Sequence, residues 1–273
     1  MIMRSTGSLA AAGFFLVLGG FGHPALAQGM GSLFGNVSGG YDRYDVNGRS
    51  ADQWNASGSA VLTLDNPGGN IQVNFLNSGV NTLATKHVAS MSMDEWGYGG
   101  DAYWRDYAGE FGVNITQDTL VKSSRSDDLS GGFFGEFYAL SDLTLRAKGG
   151  RLQGDANAWY GDSGLVFYPL DQIAMSFTGD YARFQHNGPQ LTDGAFSIEY
   201  LPVRDVPVSL SLGYTYARYQ HLAGGFGGDA NIFMLSLKVY FGGGGRNGGL
   251  VDYQRNGATN WDGAPAAIIG TSF

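Results

Sequence analysis

Between about residue 37 and residue 241 the chain alternates between apolar and polar side chains in short runs. Phe196, Ile198 and Tyr200 alternate with Ser197 and Glu199; beyond a Pro-containing turn, Val208, Leu210, Leu212, Tyr214 and Tyr216 alternate with Ser209, Ser211, Gly213 and Thr215. A period of two is the mark of a strand with two unlike faces.

The same reading predicts further strands carrying Val37, Gly39 and Tyr41, then Trp54 to Leu64, then Ile71, Val73 and Phe75. Next come two hairpins. Tyr98 to Trp104 turns at Arg105-Asp106 into Tyr107 to Ile115, and Phe133 to Ala139 turns into Leu143 to Gly149. Trp159 to Phe167 joins Ile173 to Tyr181 through "YPLDQ", and "NIFMLSLKVYF" supplies the last strand, giving twelve. Gly, Asn, Asp and Pro clusters separate them, as turn chemistry requires. Turns after the second, fourth, sixth, eighth and tenth strands read as tight, and those after the third and fifth as long polar loops. Asn47-Gly48 reads as a turn, since the residues around it miss a calcium-loop spacing.

Alternation alone also fits a soluble sandwich, whose sheets face a core on one side and water on the other. Composition shifts the balance. Gly is 45 of 273 residues, aromatics are 14% and charges only 15%, against about 25% charged in an ordinary soluble domain. A surface so poor in charge does not all face water. After residue 27 no apolar run is long enough for a spanning helix, which needs about 18 residues. A closed antiparallel up-and-down transmembrane β-barrel is then the remaining way to cross a bilayer, because it leaves no backbone group unpaired.

The two faces acquire roles on that reading. Trp104, Tyr107, Phe167 and Tyr200 belong to an aromatic belt at the tight-turn end, and Trp54, Trp96, Trp159, Tyr181, Tyr214 and Tyr216 to one at the other end, where amphipathic rings prefer the headgroup level. The alternate positions line a lumen. Its candidate charges are Asp42, Asp101, Glu110, Glu136, Asp162, Asp180 and Glu199 against Arg105, Arg146, Lys148 and Lys238. Glu110 and Glu136 are expected beside Arg146 and Lys148, bracing the wall or shaping a field across the pore.

The ends define the organisation. Arg4, the apolar run from about Leu9 to Leu18 and Ala25-Leu26-Ala27 read as a secretory signal over 1–27, cleaved on export. Residues 28–241 form the barrel, and 242–273 a Gly-rich tail: a periplasmic extension by preference, or a plug or extra strand folded back.

No Cys is present and the formal net charge is −8, so neither disulfides nor a basic nucleic-acid footprint is available. Gly161-Asp162-Ser163-Gly164 matches the GDSG around protease serines, but LVFY follows it and Ser163 falls on the lipid face. His87, His186 and His221 lie near connections without metal-ligand spacing. No enzyme, metal or cofactor is expected.

The signal, "YGGDAYWRD" leading into "GEFGVNI", and the final strand "LSLKVYF" resemble the small porin-like outer-membrane barrel proteins of Gram-negative bacteria, over essentially the whole mature chain. The resemblance implies outer-membrane lipids as surroundings and insertion by the barrel-assembly machinery, which would read Leu237, Val239 and Phe241 as the assembly signal. It departs from the pattern in the tail beyond Phe241. The implied function is passive passage of small hydrophilic solutes or ions; the alternatives are a structural or adhesive barrel with a closed lumen, and a secreted soluble β-domain.

Overall fold

A computed structural model of the chain describes residues 33–46, 49–63, 69–82, 92–121, 125–154, 157–185, 190–204, 206–222, 226–242 and 249–257. The signal reading over 1–27 therefore lies outside the described residues, as do Leu64, His87 and His186.

Twelve strands make up the wall: β1 (Leu33–Val46), β2 (Arg49–Thr63), β3 (Gly69–Thr82), β4 (Ser92–Arg105), β5 (Gly109–Val121), β6 (Arg125–Leu140), β7 (Leu143–Gly154), β8 (Ala158–Leu170), β9 (Ile173–Phe184), β10 (Gln190–Tyr200), β11 (Val208–Leu222) and β12 (Phe226–Phe241). Among the described residues one short helix, α1 (Leu250–Arg255), follows. Each strand pairs antiparallel with its sequence neighbours, and β1 pairs with β12 from Gly35↔Phe241 to Val46↔Ala230, so the sheet closes. A closed ladder pairs every backbone group and leaves no edge.

The side-chain period places the two faces as read from the sequence. Val73, Tyr98, Phe111, Ile115, Phe133, Trp159, Leu212 and Phe233 stand exposed on the outside. Gln72, Asp101, Glu110, Asn114, Thr116, Ser130 and Glu199 are buried on the inside. Ser163 is exposed on the outer side of β8, between Ala147 and Gly179 in the register.

Three expectations are corrected. The stretch after Ile115, read as a long polar loop, is strand: β5 and β6 stay paired from Ile115↔Gly131 to Val121↔Arg125, leaving only residues 122–124 between them. A ladder needs paired amides, not apolar side chains, and it continues where the lipid pattern stops. The connection after β10 runs from Leu201 to Pro207 and is no tight turn; Leu201 in it is fully buried. Tyr107 belongs to no strand, because β4 ends at Arg105 and β5 starts at Gly109; it stands 96% exposed in the turn.

Both ends of the strand order, β1's start and β12's finish, lie at the end that carries the turns 106–108, 141–142 and 171–172. This is called the turn end below, and the opposite one the loop end.

Candidate functional site: the lumen and its turn-end mouth

All eleven sequence-predicted lumen residues, Asp42, Asp101, Arg105, Glu110, Glu136, Arg146, Lys148, Asp162, Asp180, Glu199 and Lys238, have inward parity and are buried or half-buried. Their neighbours differ from one expectation. Glu110 faces Glu136, and Glu136 faces Arg146, but Lys148 faces Phe134 and Asp162.

At the turn end the charges are bonded. Arg105 donates from Nε to Glu110 Oε2 at 2.7 Å. Glu199 accepts from Ser209 Oγ at 2.5 Å and Tyr240 OH at 2.6 Å, and Lys238 Nζ stands 3.6 Å from it. Buried carboxylates are stable only with partners of this kind.

The tail completes this layer. Gly242 takes φ 75, a left-handed conformation that favours glycine, and the chain returns to place α1 inside the mouth. Leu250 is fully buried with Val166, Tyr168, Ala174, Leu201 and Tyr240, and its backbone N–H donates to Asp171 O at 2.6 Å. Tyr253 stacks on Tyr240 with ring centres 4.7 Å apart. Gln254 donates to Glu199 Oε2 at 2.9 Å and accepts from Tyr168 OH at 2.9 Å.

Arg255 reaches the other side of the mouth. Its Nε donates to Thr144 Oγ1 and its Nη2 to Leu140 O, both at 2.9 Å, with Tyr138 and Tyr168 rings 4.8 and 5.5 Å from the guanidinium carbon. Arg105 Nη2 donates to Gly257 O at 2.8 Å. Residues 250–257 are thus tied to β4, β6, β7, β8, β10 and β12, and a segment bonded around a ring lies across its opening. Within the described residues the tail takes the fold-back geometry, not the extension preferred from sequence.

Nearer the loop end the inner face changes character. Asp162, Asp180 and Asp193 stand abreast on β8, β9 and β10, with Lys148 beside Asp162. Asp42, Asp118 and Asp128 are further inward acids on β1, β5 and β6, and Asn55 donates to Asp42 at 2.7 Å. Closer to the turn end, Ser59, Gln72, Asn74 and Asp101 form a hydrogen-bonded chain across β2, β3 and β4 at 2.6 to 2.8 Å. On β9 to β11, by contrast, Ser176, Thr178, Ala195, Ser197, Ser211 and Thr215 are small and only half-buried.

Sequence reading missed Asp118, Asp128, Asp193 and Arg255. It also missed an inner apolar belt at the loop end, where Leu152, Ala158, Tyr160, Ala182, Leu191, Ala217 and Ala230 cluster. Extending the parity of the strands by up to about five residues exposes both the acids and the belt. Among the described residues, no group of three His, Asp or Glu side chains converges as a metal site requires.

On the outside, Trp104, Phe167 and Tyr200 lie near the turn end of their strands, and Trp54, Trp96, Trp159, Tyr181, Tyr214 and Tyr216 lie farther along towards the loop end. Tyr214 packs on Phe233, ring centres 5.2 Å apart, and donates to Asn231 at 2.7 Å. Leu237, Val239 and Phe241 share the outer face of β12.

A search of solved structures finds the same architecture. The NanC porin superposes with a TM-score of 0.55 at 13% identity, covering 75% of this chain and 98% of that one. An outer-membrane channel from Pseudomonas putida F1 superposes at 0.56 with 9% identity, covering 79% and 97%. The fold is that of small outer-membrane channels. No family model matches the sequence, and no curated protein does, so the likeness is one of architecture.

Proposed function

We propose that the protein is an outer-membrane channel that passes small hydrophilic solutes or ions passively, with a mild preference for cations and no chemistry or cofactor of its own. The observation that carries this reading is a closed wall with an exposed apolar outer face and a charged inner face. Only a lipid-embedded barrel satisfies both faces at once. The turn end faces the periplasm, as short connections do in such barrels, and a cleaved signal delivers the chain to the barrel-assembly machinery, which reads Leu237, Val239 and Phe241.

Selectivity follows from the inner charges. The row Asp162, Asp180 and Asp193 raises the local concentration of positive ions along the small-residue wall. The plug α1 narrows the periplasmic mouth, so the resting conductance is small. That plug also favours a second reading, a barrel with a closed lumen and a structural or adhesive role.

Recording purified full-length protein in planar bilayers separates the two. A small ohmic conductance that favours cations supports the channel. Correctly inserted protein that never conducts, with or without residues 242–273, supports the closed barrel.

A further inference from the structure

The outer face carries a feature that passage through the lumen does not use. Arg43 on β1, Arg151 on β7, Arg183 on β9 and Arg218 on β11 all point outward near the loop end. Two of them are neutralised locally: Arg43 lies 3.5 Å from Asp52, and Arg218 lies 3.1 Å from Asp229. Among the described residues, Arg151 and Arg183 form no ion pair.

Those two arginines bracket an indole. The register aligns Arg151↔Trp159 and Trp159↔Arg183 in one row, with Gln190 facing Arg183. The Arg151 guanidinium carbon lies 5.5 Å from the centre of the Trp159 ring. Its polar neighbour Gln153 is neutral and, with its amide turned, accepts from Nη1 and Nε at 3.2 and 3.3 Å. Trp159 itself is 57% exposed. Strand spacing sets the two arginine α-carbons about 10 Å apart, within reach of one ligand lying in front of the indole.

Height fixes what that ligand is. Along β8, Trp159 is separated from Phe167 at the turn-end belt by about 26 Å of strand at roughly 3.3 Å per residue. A tilt of about 40° reduces this to about 20 Å across the bilayer. The Arg-Trp-Arg row therefore sits at the headgroup level of the leaflet on the loop side. A guanidinium in that position meets phosphate, which it binds through paired N–H donors, while the indole lies along the boundary between headgroup and acyl chain.

We propose that Arg151, Trp159 and Arg183 form a lipid site on the outside of the barrel, holding a phosphate of the phosphorylated glycolipid of the outer leaflet. The assignment rests on the outer-membrane reading above. It differs from general surface charge in that only the two arginines without a carboxylate partner belong to it.

The test uses full-length protein in neutral detergent, titrated with purified lipopolysaccharide lacking its O-polysaccharide, and scored for retained glycolipid by native mass spectrometry. Wild type should retain it, and R151Q/R183Q should bind roughly thirtyfold more weakly, as the loss of two headgroup-level cations implies. R43Q/R218Q, which removes the same charge from paired positions, should stay near wild type. The dephosphorylated glycolipid should not be retained.

Equal weakening in the two double variants would show bulk charge and overturn the site. So would unchanged binding in R151Q/R183Q, or displacement of the glycolipid by millimolar inorganic phosphate, which would mark a free-anion site. Unheated gel mobility verifies that each variant is a folded barrel. A barrel that conducts yet never retains glycolipid removes this site alone, whereas recovery as a soluble protein removes the outer-membrane reading with it.

Discussion

The two ends of the lumen use charge in opposite ways. At the turn end Arg105 bonds to Glu110, Lys238 stands beside Glu199, and Gln254 and Arg255 of α1 bond to Glu199 and Thr144, so that these contacts narrow the mouth. Towards the loop end Asp42, Asp118, Asp128, Asp162, Asp180 and Asp193 are offset by Lys148. Paired charges in a crowded layer hold structure, because each is desolvated and would be costly to leave alone. Acids in excess along a wall of small side chains set a potential instead. The lesson is that inward parity identifies a lumen residue, while its neighbours around the ring decide whether it braces or selects.

The comparison presupposes one wet face and one lipid face. Leu212→Arg should therefore impair assembly, since a charge on the lipid face at mid-bilayer costs about 2–4 kcal/mol, while Ser211→Arg on the next residue is tolerated. The fraction of heat-modifiable barrel after refolding measures both. Equal yields would abolish the distinction between the faces.

Next in size is the turn end itself. Glu199→Gln leaves one oxygen to accept from Ser209 and Tyr240 but replaces the oxygen that accepts from Gln254 with an NH2 donor and removes the negative partner of Lys238. It should cost about 1–3 kcal/mol of stability in urea unfolding. Asp180→Asn, which leaves every bond of α1 in place, should cost less than Glu199→Gln. A larger loss at Asp180 would reverse the roles given to the two ends.

A chain stopped after Phe241 should insert, because β12 is complete and paired with β1 and β11 before the tail begins. Its conductance should exceed that of the full-length protein several-fold. Unchanged conductance would show that α1 does not limit the mouth.

The smallest effect is one of salt. Cation preference should fade between 0.1 M and 1 M, as the Debye length falls from about 10 Å to about 3 Å. A preference that persists at 1 M would have to come from contact selectivity at the bonded turn end.

The architecture was legible because period two is a strong signal wherever one face meets lipid and the other water. Leu210 to Tyr216 follows it without exception, and Tyr98 to Trp104 breaks it only at the inward Tyr103. The signal ends where the lipid does. Gln117 to Val121 and Arg125 to Gly132 stay in the ladder, yet their outward side chains have no apolar solvent to match, so they read as loop. Asp118 and Asp128 were lost with them.

The plug was illegible for a different reason. Six residues are too few for a helical period, and Leu250, Gln254 and Arg255 derive their roles from strands up to 117 positions away. The composition of "GGGGRNGG" marks a hinge without stating where the chain goes next.

Reversal potentials across a tenfold salt gradient test the central claim most directly. In full-length protein the variant Asp180→Asn/Asp193→Asn should shift the reversal potential towards the anion side at nearly wild-type conductance. Glu199→Gln should leave the reversal potential near wild type and raise the conductance by loosening α1. The opposite assignment, selectivity lost with Glu199 and conductance changed with Asp180 and Asp193, would contradict the division of the lumen into a bonded mouth and a selective wall.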